Sequence, residues 1–161
     1  MSLESVRHFF AVHAPEIEIL ITSESSATVS LAAAVHGVEP QQIAKSICVK
    51  AGETAALIVM AGSARLDNRK FRSQFGIKPR MMDGHDVFQL TGHPVGGVCP
   101  FGLAYAVPVF CDVSLRDFEE VIPAAGAANA AVRIDPARMA TLTGAEWIDV
   151  CQAPSALQED Q

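Results

Sequence analysis

The run IAKSICVKA at residues 43–51, followed by GETAALIVMAG at 52–62, decides how this chain folds. Alternation along the first run puts Ile43, Lys45, Ile47 and Val49 on one face and Ala44, Ser46, Cys48 and Lys50 on the other, which is the period of a strand. Gly52 and Glu53 mark a turn, and Ala55 to Gly62 reads as the partner strand of a hairpin. Lys45 therefore shares a face with three β-branched hydrophobes. That is an odd position for a lysine whose only task is to be solvated.

Upstream, Leu3 to Val12 reads as an amphipathic helix with Leu3, Val6, Phe9 and Phe10 on one stripe. Ile17 to Thr22 alternates like a strand, and Ser25 to Thr28 offers caps for the helix VSLAAAVH, which Gly37 can end. Downstream, Asp67 to Phe75 is expected to be helical, with Asp67 complementing the helix dipole. Arg80 to Gly92 reads as a strand end followed by a helix that Asp83 caps and Gly92 stops. HPVGGVCPFGL (93–103) is too rich in Gly and Pro for regular structure. Strands are expected at Ala104 to Asp112, near Val121, at Ala130 to Ile134 and at Trp147 to Val150, with a helix over Pro136 to Leu142. Short helices mixed with irregularly spaced strands indicate α+β or mixed α/β in one domain. Residues 1–153 form that domain, and residues 154–161 form a polar tail.

The chain has 161 residues, 50% of them hydrophobic and 19% charged, which supplies a core and excludes a wholly disordered chain. Its net charge of -6 argues against a general nucleic-acid coating protein or a polybasic membrane binder. The charge is uneven. Lys45 to Arg80 holds eight basic and two acidic residues, +6, and the remainder is therefore -12. A positive middle suits a phosphate-rich ligand, and equally a solvated face of helix and loop charges. Cys48, Cys99, Cys111 and Cys151 form no CxxC and read as free thiols of a reducing compartment. No leader pattern and no run of roughly 20 apolar residues is visible, so a cytoplasmic location without a membrane partner is expected.

Gly96-Gly97-Val98-Cys99-Pro100-Phe101-Gly102 is the most unusual segment. Its glycines permit positive φ and close approach of backbone to a ligand, and successive amides can hold an anion or a developing oxyanion. The same composition also serves a plain tight connection. Cys99, with His85 or His93 nearby in sequence, is a candidate nucleophile. Asp83, His85, Asp86, His93 and Cys99 match no zinc spacing, so neither a metal nor another cofactor is expected. His8, His13 and His36 read as surface or packing residues, and Met81 and Met82 as pocket or core lining.

Taken together, these pieces resemble the YbaK/ProX superfamily of aminoacyl-tRNA deacylases, related to the editing insertion domain of bacterial prolyl-tRNA synthetases, over roughly Ile19 to Val150. Thr28 and the Ala-rich helix to Gly37 are similar to its first helix, and Ile43-Ala44-Lys45-Ser46 to the strand carrying its functional lysine. Arg65-Leu66-Asp67 with Lys70 is similar to the start of its basic helix. Leu90-Thr91-Gly92, then Gly96 to Leu103, resembles its glycine-proline loop, and Val107-Pro108-Val109 with Asp112 the strand after it.

The resemblance implies a single α+β domain with a mixed, partly barrel-like sheet flanked by helices. It further implies trans-editing hydrolysis of mischarged aminoacyl-tRNA, with Ala- or Cys-tRNA(Pro) as leading substrates. Lys45 would anchor the terminal adenosine's phosphate or nearby oxygens, and the backbone of Gly96, Gly97, Val98, Cys99 and Gly102 would hold the carbonyl oxygen. Thr28, Ser46, Pro100 and Phe101 would contact substrate, and Arg69, Lys70 and Arg72 would meet tRNA phosphates. A neighbouring ribose hydroxyl or a substrate thiol would assist. The tRNA acceptor end is the expected partner, with a transient synthetase complex possible. Two other classes remain: a non-catalytic module binding a tRNA end or aminoacyl nucleotide, and a Cys99-dependent thiol hydrolase of small esters.

Overall fold

The computed structural model describes residues 2–153, and the tail expected over 154–161 lies outside them. The hairpin forms from β2 (Ile43–Ala51) and β3 (Thr54–Ala61), in antiparallel register from Ala44 against Ala61 to Ala51 against Thr54. β4 (Pro79–Met81) pairs antiparallel with the last residues of β2. On the other side, β5 (Val109–Asp112) joins β3 in parallel, and β8 (Glu146–Ile148) joins β5 in parallel. β6 (Ile122–Pro123) pairs in parallel with the start of β2. The sheet order is β4-β2-β3-β5-β8 with β6 branching from β2, while β1 (Leu20–Ile21) and β7 (Ala130–Ala131) form a separate ribbon. The sheet is mixed and open: among the described residues β4 and β8 do not meet, so no barrel closes.

The helices are α1 (Ser2–His13), α2 (Val29–His36), α3 (Asn68–Phe75), α4 (Gly84–Thr91) and α5 (Pro136–Thr143). Four of them start on a side chain that accepts otherwise unpaired amides of the first turn: Thr28, Asp67, Asp83 and Asp135. No helix among the described residues is long and apolar enough to cross a membrane.

Strand alternation separates two main core clusters, and a third, of Ala32, Ala33, Ile43, Ile122 and Ala131, joins α2 to the start of β2. Ala44, Cys48, Leu57 and Val59 face a large cluster that includes Val6 and Phe10 of α1 and Cys99 and Phe101 of the glycine-rich loop. Ile47, Val49, Ile58 and Met60 face a smaller one built on Phe71 of α3, with Val150 and Cys151. Lys45 belongs by parity to this second face, and Ser46 to the first.

Three strands are shorter than their sequence suggests, and a fourth is displaced. Ala130 to Ile134 pairs as a ladder only at Ala130 and Ala131, with Ile134 left as a single bridge to Val121. The one expected over Trp147 to Val150 lies at Glu146–Ile148. The strand expected from Ala104 begins at Val109, because Pro108 has no amide to give a ladder; its carbonyl instead accepts from the Leu57 amide at 2.9 Å. Ile17 to Thr22 pairs only at Leu20 and Ile21, opposite the two residues of β7.

Phe71 is fully buried and is the main side chain by which α3 holds the sheet. Phe71→Ala is expected to destabilise the fold by about 3–5 kcal/mol. Urea unfolding checks this, and a loss under about 1 kcal/mol would mean that α3 is not anchored there.

Candidate functional site

A cavity of about 340 Å³ opens at the outer side of β2. It draws its walls from both faces of that strand, because the neighbouring strands leave a gap there. β6 covers Ile43 and Ala44, β4 covers Val49 to Ala51, and among the described residues Lys45 to Cys48 have a strand partner only in β3. Lys45 and Ser46 line the gap, with Ala27 and Thr28 before α2, Met82 after β4, and Gly96 and Val98 across from them.

Thr28 faces the cavity while its Oγ1 accepts from the Leu31 amide at 3.1 Å, so its first task is to cap α2. The Lys45 Nζ donates to the Ala64 carbonyl at 2.6 Å, on the α3 side of the sheet. Burial is the main reason its ammonium is held below the ordinary lysine value, and Arg65 adds to the effect. Ser46 Oγ is buried and has no hydrogen-bond partner among the described residues.

The glycine-rich loop reaches the cavity only through its first part. Gly96 has φ +87°, and a Cβ there would sit 2.8 Å from that of Ala27. Gly97 packs against a second loop: a Cβ on it would approach the Ala127 nitrogen to 2.6 Å, its amide donates to Pro94, and its carbonyl accepts from Gly126. Cys99, Pro100 and Phe101 are buried away from the cavity, Phe101 stacking with Phe9 and Phe10 of α1. Gly102 lies against α1, where a Cβ would meet the Ser5 carbonyl at 2.6 Å. Pro100, Phe101, Cys99 and Gly102 thus hold the loop to the core, and do not face the cavity that Gly96 and Val98 line.

Cys99 is not arranged as a nucleophile. It is fully buried, and burial pushes its thiol up to about 12. His93 Nε2 lies 3.5 Å from Sγ but 2.7 Å from the Phe101 carbonyl. A carbonyl only accepts, so Nε2 carries the ring proton and has no lone pair for a thiol. Ser2 Oγ lies 2.6 Å from both His93 Nδ1 and the Gly126 carbonyl; its one proton serves one of these acceptors at a time, and the part-buried contacts link α1 to the two loops.

The three basic residues of α3 differ. Arg69 and Arg72 line a separate surface depression with Asn68 and Ser73, whereas Lys70 Nζ is held by Asp149 at 3.1 Å and the Cys151 carbonyl at 2.9 Å. Asp83 caps α4, accepting from the Asp86 amide. Exposed Met81 and Val95 also form part of the cavity wall. Val95 carried no signal in the sequence beyond its place between Pro94 and Gly96.

The aminoacyl-tRNA editing domain model matches residues 23–142, and the chain belongs to that family, the YbaK-type group its motifs resemble. It is 44% identical over 154 residues to the uncharacterized protein YwhH of Bacillus subtilis, covering 94% of this chain and 98% of that one. It is 31% identical over 98 residues to the proline–tRNA ligase of Geobacter sp. (strain M21), spanning 60% of this chain but 17% of the ligase. The crystal structure of a candidate trans-editing enzyme for prolyl tRNA synthetase matches with a TM-score of 0.86 at 29% identity, over 94% of this chain and 98% of that one.

Two measurements test the site's electrostatics. All four cysteines are buried, with the Cys48 thiol raised to about 11 and that of Cys111 to about 12 by burial. A thiol-specific reagent at mildly alkaline pH should therefore react quickly only after denaturation, and rapid native labelling of Cys99 would contradict the geometry. Burial also holds His93, like His36, below the ordinary imidazole value of 6.5. The unfolded histidine protonates first, so the neutral ring's contribution to stability is full above about pH 6.5 and is lost as pH falls below it. The urea midpoint should drop between about pH 7.5 and about 5.5, and His93→Asn should flatten that drop.

Proposed function

We propose that the protein is a trans-acting deacylase that hydrolyses the ester between an incorrect amino acid and the 3′-terminal ribose of tRNA. Alanyl and cysteinyl esters on proline tRNA are its leading substrates. The observation that carries this reading is that Lys45, Ser46 and Thr28 line one cavity together with Gly96 and Val98. The match to part of a proline–tRNA ligase favours proline tRNA.

An aminoacyl ester is already activated, so positioning and oxyanion stabilisation supply much of the rate without a strong base. In this reading the Lys45 stem carries its ammonium from the Ala64 carbonyl to the terminal phosphate or nearby oxygens. The Gly96 and Val98 backbone holds the carbonyl oxygen as water adds and the ribose oxygen leaves, with a ribose hydroxyl or substrate thiol assisting. Gly97 contributes by shape, since its amide is already bound to Pro94. A cavity of about 340 Å³ lined largely by Ala, Val, Ile and Met admits a small side chain. Arg69 and Arg72 meet acceptor-stem phosphates, and any contact with a synthetase is transient.

A panel of mischarged tRNAs, varying amino acid and tRNA separately, tests this. Release far above the spontaneous rate is expected for the small esters. Lys45→Ala should lower it by about 10²-fold or more, and Cys99→Ser should leave it near wild type. The reverse ranking would identify a thiol hydrolase, and binding without release a non-catalytic module. Rising salt should weaken tRNA binding, and an affinity indifferent to salt would remove the phosphate contacts.

A further inference from the structure

Ser46 brings its amide and carbonyl to the gap in the sheet, with its hydroxyl buried beside them. The Met82 amide donates to the Cys48 carbonyl at 3.2 Å, which fixes the side of β2 to which the Cys48 backbone points. Backbone groups alternate sides along a strand, so the amide and carbonyl of Ser46, two residues earlier, point the same way. There, among the described residues, they meet no strand, because β6 pairs with β2 only as far as Ala44 and β4 only from Val49. The third group is the buried, unpartnered Oγ. A buried hydroxyl without a partner is rare in folded proteins, and here it belongs to a residue lining a cavity.

The wall chemistry narrows what fits. Among the described residues no Asp or Glu lines the cavity, and the Ser26 and Thr28 hydroxyls are already bonded to Ala128 and Leu31, so the unpartnered Ser46 hydroxyl is the lining side-chain acceptor left for an N–H donor. Every aminoacyl ester carries such a donor whatever its side chain. An anchor on that group leaves Met82 and Val98 to select side-chain size.

We propose that Ser46 forms the subsite for the α-amino group of the aminoacyl ester, its carbonyl and Oγ accepting the amine's N–H groups. The identity of the ligand rests on the editing reading above. The consequence is a second specificity: esters whose amine is acylated, as in peptidyl-tRNA, lose the donors and do not fit between β6 and β4.

The test pairs a change in the protein with a change in the ligand. Turnover is measured on alanyl-tRNA and N-acetyl-alanyl-tRNA. Binding is measured separately on tRNA carrying alanine through a hydrolysis-resistant 3′-amide, with and without the N-acetyl group. N-acetylation should weaken wild-type turnover and binding by about tenfold or more, the scale of a hydrogen bond to a charged group. Ser46→Ala should cause a similar loss on the free amine and little further loss on the acetylated ligand, while Ser46→Thr retains most of the function. The thermal midpoint of Ser46→Ala should not fall, since an unsatisfied hydroxyl is removed.

Losses that multiply independently would overturn the assignment, as would an unaffected Ser46→Ala or no binding of the free-amine analogue. An effect of Ser46→Ala confined to seryl esters would also overturn it, reassigning the hydroxyl to side-chain reading. A protein that binds the analogue but never releases amino acid would defeat the deacylase reading while leaving the Ser46 comparison decisive.

Discussion

β2 is held by three neighbours, and the way they share it shapes everything around it. β3 runs along it from Ala44 to Ala51 on one side, while the other side is divided between a parallel contact at Ile43 and Ala44 and an antiparallel one from Val49 to Ala51. Two strands approaching from opposite directions cannot both continue, so a length of β2 is left open. An open strand edge buried among apolar walls is costly unless water or a ligand satisfies it. The site is therefore a consequence of sheet topology, and the side chains around it refine a vacancy that the backbone creates.

Around that edge the molecule is braced by close backbone contacts that leave little freedom. The glycine-rich loop touches α1 at Gly102 and the Gly126 loop at Gly97, in both places too closely for a side chain. His93 and Ser2 fasten the same three segments from inside. The loop's sequence looks like ligand chemistry throughout, yet most of it is there for packing. Of Gly96 to Gly102, Gly96 and Val98 line the cavity, next to Val95 just before them.

Much of this was legible from residue order, and the remainder depended on distant contacts. The hairpin, the caps at Asp67 and Asp83, a cap within Ser25 to Thr28 that the structure narrows to Thr28, and the unusual setting of Lys45 follow from periodicity and local hydrogen-bonding chemistry. The destination of the Lys45 ammonium did not, because Ala64 enters its reach only after β3 turns toward α3. The inward burial of Phe101 was also hidden, since it requires Phe9 and Phe10, some ninety residues earlier, to fold over it. The open edge at Ser46 depends on where β6 and β4 dock, and two- and three-residue strands carry almost no periodic signal.

Alanines supply much of the chamber's wall: Ala27, Ala32, Ala44, Ala124 and Ala131 all contribute. The room inside is thus defined by methyl groups that are missing. Exchanging any one for valine would shrink the space without adding a charge or a polar atom, and a tightly packed interior registers even one extra methylene. The volume of this chamber can therefore change by single small substitutions while the path of the backbone around it stays as it is.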